Sequence, residues 1–558
     1  MPTTYANPRY PHRPPATPGG VERHRVAIVG AGLVGLTLAL DLARRGVASV
    51  VLDEDDTVSV GSRAICFAKR TLEIFARLGL GERMVAKGVT WKVGRVFHGE
   101  RECYHFDLLP EEGHGRPAFV NLQQYYAEEW LVAACEATGG LVDLRWRHRV
   151  ASVEHRPDGA TLAVETPGGG YAILADWLLA CDGANSPIRR GMGLPFVGQV
   201  FRDRFLIADV VLRGDLALPS ERLFWFDPPF HPGQSVLLHR QPDGVWRMDF
   251  QLGWDADPEA EKTPERVLPR VRALLAAVGA PGASFDLEWV SVYTFRCRRL
   301  ERFAHGRTVF VGDSAHQVSP FGARGGNGGV QDADNLAWKL AAVLRGDAPE
   351  ALVAETYDAE RVPAADENIL HSTRATDFIT PKDDASRAYR DAVLGLAREH
   401  AFARPLVNSG RLSRPSVLRG SPLNTPGGPG LEPGTPAPDA PVVAEDGRAG
   451  WLLDHLHAAG AGGGDGFVLL VCDAPRPLDL PRGVAALFVA DEPVAGALHD
   501  GSGLARARFA LPPGGAALLR PDMHVAATFR DPDPAAVAAA HDRALARRVP
   551  VLVAAAAA

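Results

Sequence analysis

Two glycine-rich segments, each beside acidic residues, lie about 280 positions apart in this chain, and together they set the chemistry it can do. The first is Gly30-Ala31-Gly32-Leu33-Val34-Gly35, a GxGxxG, followed downstream by Asp53 and Glu54. Gly30 permits a tight turn, Gly32 lets the backbone approach a pyrophosphate, and Gly35 lets a helix pack on a strand. Asp53 stands 23 residues after Gly30, where a carboxylate accepts hydrogen bonds from a ribose hydroxyl; Glu54 is the neighbouring alternative. The second segment runs from Gly312-Asp313 through Pro320, Phe321 and Gly322 to Arg324-Gly325-Gly326-Asn327-Gly328-Gly329. Its glycines would let the backbone approach a flat ligand, and amides at the start of a helix favour negative charge. A single GxGxxG specifies only some dinucleotide. A second acidic, glycine-rich segment so far downstream implies one extended cofactor held at both ends.

Each segment needs a strand before it and a helix after it. Residues 26–29 form a β-branched run leading into Gly30, and a helical pattern (Leu36, Leu38, Ala39, Leu42, Ala43) follows and stops at Gly46. Residues 49–52 read as the next strand, ending at Asp53. Residues 308–311 read as a buried strand and 331–340 as a helix, with the glycines between them as a loop. A further buried strand, 176–180, ends in Cys181-Asp182-Gly183-Ala184-Asn185-Ser186-Pro187-Ile188-Arg189.

With these three motifs in order, the chain resembles the class A flavoprotein aromatic monooxygenases, the FAD-dependent hydroxylases of phenols. GxGxxG is Gly30–Gly35, the family's DGxxSxxR is Asp182, Gly183, Ser186 and Arg189, and its GD motif is Gly312-Asp313-Ser314-Ala315-His316. The resemblance implies FAD as cofactor, with NAD(P)H and O2 as co-substrates. It implies that Asp313 holds the ribityl chain, that Arg63 lies near the FAD phosphates and flavin, and that Gln124 contacts the flavin side, Gln123 being the alternative register. Asp182 is implied in FAD binding and NAD(P)H use. Residue-level alternatives stand beside these roles. Asp313 suits a helix cap as well as a ribityl contact, Asp-Gly suits a strand-ending turn, and His316 suits a structural role. The family loop reads roughly GxGMNxG, and here Gly326 replaces its Met, leaving Asn327 and the neighbouring amides for the flavin.

The resemblance implies an α/β fold: a Rossmann-like FAD-binding domain of the para-hydroxybenzoate hydroxylase type, an interleaved β-sheet substrate domain, and a C-terminal thioredoxin-like α/β domain. The expected boundaries are a disordered arm over 1–22, FAD-binding segments 23–95, 115–200 and 299–410, substrate segments 96–114 and 201–298, a Pro/Gly-rich linker or wrap over 411–441, and the last domain over 442–552. The tail has no CxxC, so a structural or dimer-supporting role is expected for it, and the chain is compatible with a homodimer. Between the cofactor motifs, Trp225, His231, Phe250, Tyr293 and Phe321 are the substrate-pocket candidates. For the aromatic residues among them plain core packing is the competing reading. Tyr293 resembles the tyrosine that contacts the substrate hydroxyl in phenol hydroxylases, with a structural hydrogen bond as the alternative. His239 and Arg247 are further anion partners that the sequence does not rank. Tyr293, together with Pro320 in the loop beside the flavin, is the catalytic candidate.

Composition narrows the rest. At 558 residues the chain exceeds a single core. Its net charge of −7, with no basic block, argues against nucleic acid. Six scattered cysteines without CxxC argue against structural zinc and a disulfide framework, and fit a reducing cytoplasm. The Pro-rich start has no apolar signal segment, and no run is long enough to span a membrane. The expected partner is therefore a small phenolic molecule, hydroxylated by a flavin C4a-hydroperoxide. Epoxidation or Baeyer–Villiger oxygenation of a polyketide-like substrate on the same architecture is the alternative, and flavin binding without turnover is a rival of another class. A halogenase is disfavoured because no WxWxIP occurs.

Overall fold

The computed structural model describes residues 4–61, 63–213, 218–407, 412–462, 466–473 and 475–547. Residues 1–3 of the expected arm, Ser62 beside Arg63, residue 411 of the linker and 548–552 of the last domain lie outside these.

The first sheet has a parallel core in the order Thr308–Phe310, Gly169–Ala180, Val21–Val29, Ser49–Asp53, Val142–Trp146. Its strands are near-continuous apolar runs because helices Leu33–Arg44 and Gly325–Arg345 contribute to the surrounding core. Register brings the strand ends level: Val29 pairs with both Leu52 and Ala180, and Ala180 with Phe310. All three cofactor motifs therefore leave the same carboxyl edge, where open parallel sheets bind ligands.

A second sheet runs His316–Gln317, Ser284–Arg299, Val197–Arg213, Val245–Leu252, Ser235–Arg240, Arg222–Phe226, Val93–His98, Arg101–Asp107. The strand Val93–His98, which a boundary at residue 95 would cut, belongs whole to this sheet. Helix Pro264–Ala277 covers one face, burying Val267, Val271 and Leu274 at helical spacing. The three-stranded sheet Cys66–Ala68, Phe119–Asn121, Val89–Trp91 stands over part of the other.

The last domain is a seven-stranded sheet built on the fully buried strand Phe467–Val471. That strand is parallel to Val484–Ala490 and antiparallel to Ala516–Leu519. The Pro/Gly-rich segment is a wrap rather than a free linker: Thr425, Gly434 and Ala437 donate backbone hydrogen bonds to Ala526, Val525 and Met523 at 2.7–2.8 Å.

The N-terminal arm corrects the expectation of disorder. From residue 4 to residue 13 it has no regular secondary structure, yet it is pinned along its length. Thr4 donates from N and Oγ1 to Glu288 Oε1 at 3.0 and 2.6 Å, and Tyr5 stacks on Tyr125 at 4.0 Å. Asn7 Nδ2 donates to the Val58 and Ser59 carbonyls, Arg9 pairs with Asp56, and Tyr10 stacks on Trp146 at 4.6 Å. The Pro-rich composition suggested disorder because it lacks a core of its own; aromatic residues seated on the neighbouring domain replace one.

Candidate cofactor cleft and active site

The two ends of the GxGxxG are glycine because of packing. A Cβ on Gly30, whose φ is +106°, would lie 2.4 Å from the Cys181 carbonyl oxygen, and one on Gly35 would lie 2.0 Å from that of Gly30. Gly32 differs. Its Cβ would meet only Glu128 Oε1, at 3.7 Å, so this is the position left open to another molecule. Leu33 is buried, and Val34 packs against both Gly312 and Gly329, where a Cβ would lie 3.0 and 2.6 Å from it. Val34 thus holds the two glycine segments together.

Asp53 clamps the turn: Oδ2 accepts from Ala31 N at 2.6 Å and Oδ1 from Asp55 N at 2.9 Å. Burial pushes its carboxyl up to about 6 against those two hydrogen bonds. Glu54 is exposed. Asp182 Oδ2 accepts from Ser186 Oγ at 2.7 Å and Ile188 N at 3.1 Å, tying the start of the short helix Pro187–Gly191, while Oδ1 is buried with no partner among the described residues. Burial raises Asp182 to about 6 as well. Asp313 is the exposed member between buried Gly312 and Ser314. Desolvation nonetheless raises its pKa, with His316 and Arg63 pulling it down, so its carboxyl opens onto a cleft rather than bulk water. Beneath it, Asp332 accepts from Gly312 N, bonds His316 Nε2 at 2.6 Å and accepts from Arg361 Nε at 2.6 Å. Burial alone would raise Asp332, but His316 and Arg361 hold it at about 2.

Gly325, Gly326, Gly328 and Gly329 are not loop. They form the first turn of helix Gly325–Arg345, whose first internal bond runs from Gly328 N to Arg324 O at 2.7 Å. The amides of Gly325, Gly326 and Asn327 precede that bond, which makes them donors for an anionic group. The Asn327 side chain, expected to face the flavin, is committed elsewhere. Its Oδ1 accepts from Ala68 N at 2.9 Å, and its Nδ2 donates to the carbonyls of Cys66 and Ala323. Only its backbone amide belongs to the donor set. Gly326 faces Ala64 Cβ at 3.2 Å and Leu33 Cδ2 at 3.4 Å, so a larger side chain would press on the 59–64 loop and on the first glycine segment.

Arg63 is exposed, and the next amide, Ala64 N, donates to Gln124 Oε1 at 2.9 Å. Gln124 Nε2 in turn donates to Glu128 Oε1 at 2.7 Å and Ser59 Oγ at 3.2 Å. Gln124 therefore acts through the 59–64 loop, while Gln123 is buried and donates to Pro242 O at 3.4 Å. Glu128 is the hub that sequence reasoning missed. Fully buried, it accepts from Leu33 N, Ser59 N, Ser59 Oγ and Gln124, and burial raises its pKa. Its signal was present in the Gln124-to-Glu128 spacing of four, which puts both side chains on one helix face.

On the substrate side, strand parity sorts the candidates. Phe205 pairs with Tyr293 and Gln251, and Ile207 with Ser291 and Asp249, so these residues share one face. Leu206 pairs with Phe250, and Val236 with both Phe250 and Trp225; these share the other. Trp225 and Phe250 therefore pack in the core beneath helix Pro264–Ala277, which corrects their placement in the pocket. His231 goes with them: its ring meets Phe250 edge-on at 5.6 Å, and Nε2 bonds Gln251 O at 2.7 Å. Phe321 is buried against Phe205 and Phe295, with centroids 5.2 and 5.1 Å apart, docking the exposed Pro320 turn onto the inner face. Tyr293 is 45% exposed and has no hydrogen-bond partner among the described residues, so its phenol is free within the cleft. Burial and then the Asp313 carboxylate push its pKa up to about 12.

Comparison with known proteins agrees with this geometry. A family described as FAD binding domain matches residues 23–372. The chain is 32% identical over 538 residues to a 6-methylpretetramide 4-monooxygenase of Streptomyces rimosus, covering 90% of each chain. It is 31% identical to a 3-(3-hydroxy-phenyl)propionate/3-hydroxycinnamic acid hydroxylase of Mycolicibacterium smegmatis, covering 68% of this chain and 65% of that protein. Among solved structures, the flavin-dependent monooxygenase PieE in complex with FAD and substrate superposes with a TM-score of 0.78 at 22% identity, over 94% of this chain and all of the other. The OxyS anhydrotetracycline hydroxylase of Streptomyces rimosus superposes at 0.67 with 28% identity, over 91% and 96%.

Proposed function

Because the chain belongs to the FAD binding domain family and is an FAD-dependent monooxygenase, we propose that it uses NAD(P)H and O2 to hydroxylate a phenolic ring. One observation carries the choice of substrate. The only hydroxyl the sequence put forward for the pocket, Tyr293, has its phenol free in a cleft shared with Asp313 and backed by Phe205, Phe295 and Phe321.

The residues present fit FAD. Gly32 leaves the backbone open to a pyrophosphate, Asp53 and Asp313 suit the ribose and ribityl hydroxyls, and the amides of Gly325 to Asn327 suit the anionic edge of a reduced ring. When bound, FAD supplies the electron transfer and oxygen activation that no side chain in the cleft can. The chain's own task is placement. A phenol titrates near ~10, so its hydroxyl needs a polar contact to lose a proton at neutral pH. Tyr293, with its pKa raised, stays protonated and donates to the substrate oxygen as charge develops there. The phenylalanines keep water from the reacting ring.

Relatives named for a phenolic propionate and for tetracycline-type polycycles both support an aromatic substrate. The tetracycline-type relatives also favour, as a second reading, a polyketide-like substrate, for which epoxidation or Baeyer–Villiger oxygenation is the alternative chemistry. The C-terminal domain, a thioredoxin-like scaffold without CxxC in this reading, is structural. Coupled consumption of NAD(P)H and O2 over a panel of phenols tests the proposal; yellow protein that oxidises neither nicotinamide with any of them refutes it. Tyr293→Phe should lower kcat/KM on the order of tenfold, as one lost hydrogen bond would, with flavin content unchanged.

A further inference from the structure

We infer that the inner face of the substrate sheet carries a second, hydrogen-bonding subsite, formed by Arg222, His239 and Asp249, that takes an aromatic substrate bearing adjacent carbonyl and hydroxyl oxygens. The inference rests on the hydroxylase reading and narrows its substrate class.

His239 pairs with Arg247, which pairs with Asp209, and Asp249 follows two residues after Arg247 on the same face. Asp209 is already spent, since its two oxygens accept from Arg247 Nε and Nη2 at 2.8 and 3.0 Å. Asp249 is not. Its Oδ1 is buried with no partner among the described residues, and so are His239 Nε2, Arg222 Nη1 and both polar side-chain atoms of Gln241. His239 and Gln241 are almost wholly inaccessible. Natural interiors rarely leave so many neighbouring polar atoms bare.

The hydrogen-bond network defines what these atoms offer. Asn121 Oδ1 accepts from Trp91 Nε1 at 2.7 Å and Cys66 Sγ at 3.2 Å, and its Nδ2 donates to Arg240 O at 2.8 Å, which fixes the amide orientation. That same Nδ2 faces His239 Nδ1 at 3.4 Å, so Nδ1 is the acceptor and Nε2 carries the ring proton. Burial, reinforced by Arg222 and Arg247, keeps His239 neutral. The subsite therefore presents two N–H donors, from His239 and Arg222, and one carboxylate acceptor, Asp249. Burial raises Asp249 to about 6, leaving it ionised at neutral pH. A carbonyl beside a hydroxyl offers two oxygens to these three groups; a lone phenol offers a single oxygen, through which it must both donate and accept.

The row also borders the cleft. Arg247 Nη1 donates to Arg63 O at 3.4 Å, and the strand Cys66–Ala68 that bounds the subsite also holds Asn327. A site built to hydrogen-bond a group strongly rejects the analogue that lacks it.

The test titrates oxidised, FAD-loaded enzyme with 1-naphthol and with 2-acetyl-1-naphthol, reading the flavin absorbance change. Wild-type protein should bind the hydroxyketone about tenfold tighter or more. Asp249→Asn and His239→Leu should each erase that preference while leaving flavin content unchanged; Arg222→Gln, at a less buried position, replaces either variant that loses its flavin. Equal affinity of the wild type for the two probes, or a preference that survives in folded variants, overturns the subsite. Because binding is read without turnover, failure of the hydroxylase reading shows separately, as absence of phenol-dependent NAD(P)H oxidation.

Discussion

Arg520 and Glu360 meet through two hydrogen bonds, Nη1 to Oε1 at 2.5 Å and Nη2 to Oε2 at 3.2 Å, with both side chains wholly buried. Glu360 also accepts from Lys339 Nζ at 2.6 Å and Asn335 Nδ2 at 2.8 Å, and Arg520 is held by Asp522. Lys339 and Asn335 lie on helix Gly325–Arg345, whose first turn faces the cofactor cleft. The C-terminal domain thus grips the helix whose first-turn amides are proposed to meet the flavin.

Breaking this pair should be costly. Arg520→Ala leaves Glu360 with Lys339 as its remaining counter-charge and removes the guanidinium from buried Asp522, and should destabilise the protein by about 3–5 kcal/mol. Thermal unfolding and limited proteolysis of the C-terminal domain measure it. An unchanged melting temperature would show that the domain does not support the helix.

Acid should weaken the molecule in a defined window. Asp332 is held at about 2 when folded and titrates at 3.8 without its partners. The stability it contributes is present above about pH 4 and lost as pH falls toward 2, about 2 kcal/mol in all. Glu360 and Asp522 are lowered as well and act in the same direction. Asp53, Asp182 and Asp249 are raised, so they oppose the trend between about 6 and 4, where folding takes up their protons. Urea unfolding across pH should show a steep loss below about 4, and Asp332→Asn should flatten it.

Gly32 and Gly35 should separate binding from folding. Gly35→Ala places a Cβ 2.0 Å from the Gly30 carbonyl and should give little folded protein. Gly32→Ala meets nothing closer than 3.7 Å, so it should fold but hold little FAD, visible as colourless protein with a normal far-UV spectrum. Full yellow colour in Gly32→Ala would move the cradle elsewhere.

The N-terminal strap should slow flavin loss. Its contacts to Asp56, Val58 and Ser59 steady the loop that follows Asp53. Deleting residues 1–14 should raise the FAD release rate about tenfold, the change expected when a few contacts of this kind are lost. Recovery of free-flavin fluorescence after dilution reads it; an unchanged rate would leave the strap a purely structural tie.

How far the sequence reached depends on which features are local. The turns at Gly30, Asp182 and Gly312 were legible because a strand, a glycine and an acid sit within a few residues, and parallel pairing then aligned them. The start of helix Gly325–Arg345 was not, because four glycines argue against a helix by propensity, and tertiary contacts such as Gly329 on Val34 and Asn327 on Ala68 override that. Trp225 and Phe250 were misplaced for a different reason. Aromatic residues line either face of a sheet equally well, and the face is decided by pairing across strands far apart in sequence. Glu128 was overlooked because its partners, Leu33 and Ser59, lie 95 and 69 residues away.

The strap also sets an order of events during synthesis. Thr4 closes on Glu288, 284 residues later, so this segment cannot reach that anchor until the intervening residues have been made. Domains generally fold as they emerge. Asp53 and Glu128 are therefore made well before the strap can be tied at its outermost point, Thr4. A cofactor arriving before Glu288 is made would find that outermost tie still open.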